Sequence, residues 1–150
     1  MPDRPLLLCY DGSDDAKHAI AEAGALFGSR AALVISVWQD AAAMPSLAWM
    51  GPVGDVEDLF KAARENAEKV AAEGVEAAVA AGFEAQPLVE QTSGPVWAAI
   101  VEAAEKRDAS AIVLGSRGLS AAKSVLIGSV SNGVVHHASR PAVVVRRVDA

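Results

Sequence analysis

The stretch PLLLCYDGSDDAKHAIAEAGALFGSRAALVISVW, residues 5–38, carries three elements in succession. Its ends, PLLLCY (5–10) and AALVISVW (31–38), are short, continuous apolar runs. Runs of this kind suit strands buried on both faces, as in a parallel sheet. Between them Ala16, Ala19, Ile20, Ala23 and Phe27 recur at helical spacing over 13–27, behind an Asp11-Gly12 turn and the N-cap candidate Ser13. Strand, helix and strand in that order make a βαβ unit, whose crossover is right-handed and whose strands are parallel.

Working outward, the same alternation continues. Further strands are expected at 84–90 (EAQPLVE), 110–114 (SAIVL) and 142–146 (AVVVR). Pro87 cannot donate to a ladder, so its strand belongs at a sheet edge. Helices are expected over 55–81, 94–106 and 129–138. The first carries an apolar stripe of Val56, Leu59, Phe60, Ala63, Ala67, Val70 and Ala71, with Glu57–Lys61 and Glu65–Lys69 pairs opposite. Gly74 is expected to bend it. In the second, Pro95 suits the first turn, and Val96, Ile100 and Ala104 face inward. The fold class is α/β: a Rossmann-like open five-stranded parallel sheet with helices on both faces, one domain over 1–150. Residues 39–54 (QDAAAMPSLAWMGPVG) break the alternation with Pro45, Pro52, Trp49 and two methionines. They read as a lid over a ligand, as a floppy loop or as a contact to a partner.

Composition narrows the function. Of 150 residues, 52% are apolar and 21% charged, which suits a packed core rather than a disordered chain. The one cysteine, Cys9, excludes a disulfide framework and a cysteine-based zinc cluster. The net charge of −6 is opposite to that of a nucleic-acid binder. No apolar run approaches the roughly 20 residues that cross a bilayer. The apolar run after Arg4 is too short for a signal-peptide core. A cytoplasmic protein is expected, with neither nucleic acid nor membrane as partner.

In open α/β sheets, ligands sit beyond the carboxyl ends of the strands where strand order reverses. The first strand ends in Cys9-Tyr10-Asp11-Gly12-Ser13 and the fourth in Gly115-Ser116-Arg117-Gly118. If both serve one site, these strands are neighbours and the order is 3-2-1-4-5, which also puts the Pro87 strand at an edge. Beyond Gly118, with nine residues between, come Gly128-Ser129-Val130-Ser131. Glycines let backbone approach a ligand closely. Gly128-Ser129 opens a helix whose free N–H groups and dipole favour an anion. The Ser129 and Ser131 hydroxyls add donors. The arrangement fits a phosphate chain lying from Gly118 to that helix. It is not a Walker A loop, because Ala122 stands where the second glycine belongs, and no G-x-G-x-x-G follows the first strand. Adjacent His136 and His137 leave a helix in different directions, so no metal site is expected. No nucleophile, base and orienter stand at a telling spacing, so no catalytic residue is assigned.

The pattern G-x2-G-x9-G-(S/T) after the fourth strand, Asp-Gly-Ser after the first, and the closing VVHHASRPAVVV (134–145) resemble the universal stress protein family over essentially the whole chain. The resemblance implies a homodimer and ATP as ligand, with Mg2+ alongside. By that resemblance Cys9 and Val37 line an adenine pocket, and Asp11 meets the ribose or adenine edge. Leu114, Gly115, Arg117 and Gly118 lie along ribose and phosphates. Gly128 completes the motif, and Ser129, Val130 and Ser131 hold the phosphate tail. The function implied is an ATP-binding regulatory module of the stress response, its nucleotide modulating dimer or partner interactions. The alternative is a slow ATPase or adenylate-transferring enzyme. Adenylating relatives of the fold class carry a Ser-Gly-Gly-rich loop after the first strand; here Asp11, Asp14 and Asp15 stand there, which favours the binding module. In the order 3-2-1-4-5 nothing covers the fifth strand, so the dimer is expected through it, with Arg146 and Arg147 flanking the seam opposite Asp149 of the partner subunit.

Overall fold

The computed structural model describes residues 4–40, 56–117 and 127–147. Gly118, Lys123, Asp149 and all of the 39–54 loop beyond Asp40 lie outside the described residues. The elements alternate along the chain: β1 (Leu6–Cys9), α1 (Asp14–Phe27), β2 (Ala31–Gln39), α2 (Val56–Ala80), β3 (Glu84–Thr92), α3 (Val96–Lys106), β4 (Ala111–Gly115), α4 (Ser129–His137) and β5 (Ala142–Val145). The five strands form one parallel sheet in the order β3-β2-β1-β4-β5. The central strand β1 sets Leu6 opposite Ala32 on β2 and opposite Ala111 on β4.

The continuous apolar runs are explained by the two cores they feed. Leu6, Leu8, Val34 and Val113 pack with Ala16, Ala19, Ile20 and Ala23 of α1 and Ala78 of α2. Leu7, Ile35, Ile112 and Leu114 face the other way, onto Ile100, Ala103 and Ala104 of α3 and Val134 of α4. Leu6, Leu7 and Leu8 are each 1% exposed or less. Burial of such a side chain contributes about 1.5–3 kcal/mol. The three leucines of β1 are all buried, on both faces, which is why the strand reads as a run and not as an alternation.

Ser13 caps α1: its Oγ accepts the Ala16 N–H at 3.1 Å. Asp14 and Asp15 occupy the first turn, where the helix dipole favours carboxylates. α2 runs unbroken through Gly74, which has a packing role. A Cβ at Gly74 would lie 2.6 Å from Tyr10 Cδ1 and from Val34 Cγ1. The missing side chain is what lets α2 lie on the sheet. On the wet face of α2, Lys61 pairs with Glu65 and Arg64 with Glu68, both at 3.9 Å. Lys61 thus pairs toward the C-terminus as well as being spaced from Glu57. Exposed pairs of this kind contribute a few tenths of a kcal/mol either way.

β3 is an edge strand with Pro87 opposite Val34, as the proline required. β5 forms the second edge and is half-buried; among the described residues no strand pairs with its outer side. On the opposite layer Gly133 of α4 presses against the Trp97 ring, where a Cβ would overlap it. His137 stacks on the same ring, centroids 4.2 Å apart and planes 12° from parallel. Among the described residues no cluster of His, Cys, Asp and Glu is placed to hold a metal ion. No described helix is long and apolar enough to cross a membrane.

Candidate functional site

β1 lies between β2 and β4, so the order reverses there and the crevice opens beyond the ends of β1 and β4. Four apolar residues assigned to the site from sequence come together on one face. Cys9 ends β1, Val37 lies near the end of β2, Leu114 precedes the end of β4, and Val130 sits in the first turn of α4. All four belong to or pack against the core shared with α3 and α4. Burial, aided by the Asp11 charge, pushes the Cys9 thiol up to about 12. Cys9 therefore contributes a small apolar wall and no nucleophile.

Asp11 follows on the exposed side of the turn. Its Oδ1 accepts the Ser13 N–H at 2.9 Å, an Asx turn closed over Gly12 at φ 87°. That bond fixes the carboxylate above the end of β1. Behind it, Tyr10 is buried, donates its hydroxyl to Glu73 at 2.8 Å, and receives the Ser36 hydroxyl on its carbonyl at 2.9 Å. Burial and the bond to Glu73 push the Tyr10 phenol up. The turn is thereby tied to both β2 and α2.

The two halves of the glycine pattern meet. Gly128 donates its N–H to the Ser116 carbonyl at 2.5 Å. Gly128 is the N-cap of α4, with no acid in the first turn and, among the described residues, no side chain capping the helix. α1 contrasts with it, capped by Ser13 and holding two carboxylates. The N–H groups of Ser129 and Val130, without an acceptor among the described residues, are thus the better place for an anion. Gly115 is glycine for a packing reason: a Cβ there would lie 2.9 Å from the Asp15 carbonyl oxygen.

Two assignments change in detail. Ser131 is 3% exposed, and its hydroxyl donates to the Gly115 carbonyl at 2.6 Å. That hydroxyl is committed to the fold, while Ser129 remains exposed. Arg147, expected at the seam of a dimer, turns back within its own chain: its Nε lies 3.1 Å from Asp15 Oδ1. Arg117 meets the same carboxylate, Nε to Oδ2 at 3.7 Å. Asp15 was legible only as one acid among several, and nothing in the linear order marks it as the meeting point of two arginines. Gly118 lies outside the described residues.

The model of the Universal stress protein family matches residues 4–146. The "Universal stress protein in QAH/OAS sulfhydrylase 3'region" of Thermus aquaticus is 36% identical over 151 residues, spanning 95% of this chain and 98% of its own. Among solved structures, a universal stress protein from Archaeoglobus fulgidus in complex with dAMP matches with a TM-score of 0.64 at 23% identity, covering 96% of this chain and 98% of that one. A universal stress protein in complex with cAMP matches with a TM-score of 0.61 at 22% identity, covering 99% and 100%.

Proposed function

The chain belongs to the universal stress protein family, and from that premise we propose that it is an ATP-binding regulatory module. The observation that carries this reading is the junction of Ser116 with Gly128. It sets the uncapped start of α4 beside the end of β4, next to the apolar wall of Cys9, Val37, Leu114 and Val130. An adenine ring suits the wall, and a phosphate chain suits the helix start. The adenine nucleotides held by the two family structures, dAMP and cAMP, agree with such a ligand. In this reading Asp11 meets the ribose or adenine edge, and Arg117 and Gly118 lie along the phosphates. The triphosphate carries Mg2+ with it.

Nucleotide occupancy biases a dimer built through β5, whose outer edge has no strand on it among the described residues. The test is the nucleotide retained through purification, identified by mass spectrometry, followed by titration of ATP into the emptied protein. Gly128→Val places a branched side chain where the phosphates need bare backbone. Affinity should fall more than tenfold, about the loss of one charge-assisted hydrogen bond. ATP binding unchanged in that variant would remove α4 from the site.

A further inference from the structure

Asp15 stands in the first turn of α1 with its side chain only 8% exposed, and two guanidinium groups share it. Arg147, two residues past β5, holds Oδ1 at 3.1 Å and reaches Asp14 Oδ2 at 3.8 Å. Arg117, two residues past β4, approaches Oδ2 at 3.7 Å through Nε. A carboxylate this enclosed must keep a cation, because removing the last partner of a buried charge is strongly destabilising. With two partners it can release one. The shorter pair is with Arg147, so Arg117 is the partner free to leave. The contact to Asp15 is made through Nε, and among the described residues no acceptor meets the terminal fork of Arg117, which leaves it for another anion. A planar fork of this kind matches phosphate oxygens two at a time.

We propose that Arg147 is a positioning residue for the polyphosphate of the bound nucleotide: by holding Asp15 it releases Arg117 to the phosphate chain. The inference rests on the crevice being the adenine-nucleotide site. It adds a determinant from the far side of α1 that separates nucleoside di- and triphosphates from the bare nucleoside. Without Arg147, Asp15 has Arg117 as its one remaining partner and draws it away from the ligand.

The test compares ATP and adenosine affinity in the full chain by calorimetry. Arg147→Gln should weaken ATP about tenfold, the loss of one charge-assisted contact, and leave adenosine within about twofold. Adding Asp15→Asn should restore ATP, since no carboxylate then competes for Arg117. Adding Asp14→Asn instead gives the same net charge and should restore nothing. Equal rescue by the two would reduce the effect to bulk charge and overturn the proposal. A second cycle leaves no unpaired buried charge: in an Asp15→Asn, Arg117→Gln background, Arg147→Gln should change ATP affinity no further, and additive losses overturn the proposal. Equal loss of ATP and adenosine in Arg147→Gln also overturns it, as a merely structural effect. A wild-type protein that binds neither ligand sinks the nucleotide reading itself, a separate outcome from a wild type that binds both while Arg147→Gln is silent.

Discussion

The Ser131 hydroxyl donates to the Gly115 carbonyl at 2.6 Å, which joins the first turn of α4 to the last residue of β4. The start of α4 is therefore set by a bond from inside its own first turn, besides the bond between Gly128 and Ser116. Ser131→Ala leaves the Gly115 carbonyl without this donor and should lower stability by about 1–3 kcal/mol. It should also weaken nucleotide binding, because the N–H groups of Ser129 and Val130 lose their fixed aim. Urea unfolding and ATP titration of the same variant check both. Unchanged stability would mean that Gly115 finds another donor.

Gly74 offers a test with a sign. In an exposed helix interior, replacing glycine by alanine stabilises by about 1 kcal/mol. Here the new Cβ would lie 2.6 Å from Tyr10 and Val34, and overpacking of this kind costs about 1–3 kcal/mol. Gly74→Ala should therefore destabilise, with a lower melting temperature by calorimetry. A rise would show that α2 can lift off the sheet without penalty.

The sheet order was legible because two kinds of signal agreed. Pro87 marked one edge, and the residues at the ends of β1 and β4 marked the centre. What escaped was side-chain direction. The packing role of Gly74 escaped because a linear pattern says nothing of the Tyr10 ring that lies against it. Ser131 read as a ligand donor because helix position alone does not say that its hydroxyl turns inward to Gly115. Arg147 read as a seam residue because it follows the edge strand, yet its long side chain folds back onto the start of α1. In each case the contact was decided by packing across layers.

The state of Cys9 sets a pH dependence. Its thiol ordinarily titrates near 9.0, and in the fold it is pushed up to about 12. The folded state holds the proton more tightly, so this contribution to stability is complete below pH 9 and is lost as pH rises from 9 toward 12. The Tyr10 phenol is shifted in the same direction, above its usual 10.0, and adds to the alkaline loss. Cys9→Ala should flatten the fall in unfolding free energy between pH 9 and 11. In the native wild type at pH 8 the thiolate is scarce, and alkylation by iodoacetamide should be at least about tenfold slower than in the unfolded chain. Equal rates would show that the end of β1 is open to water.

The β5 edge gives the test of the dimer. Ile112 and Ser116 of the β4 segment donate to the carbonyls of Pro141 and Val145, at 2.8 and 3.0 Å. Backbone direction alternates along a strand, so Pro141, Val143 and Val145 face β4, and the N–H and C=O of Ala142 and Val144 face the open edge. Across a two-fold axis the same edge of a second copy runs antiparallel and can pair with it, joining two sheets into one. Val144→Pro removes an outward donor on each copy and leaves the ladder to β4 intact. The dimer should weaken by on the order of tenfold or more, while the melting temperature of the monomer changes little. Val143→Pro is the contrasting variant: it removes an inward donor, so the β4 ladder and the melting temperature suffer first. Sedimentation velocity at micromolar concentration separates the two effects. A wild-type chain that sediments as a monomer, with and without ATP, would leave β5 a free edge and end the proposal that nucleotide acts through it.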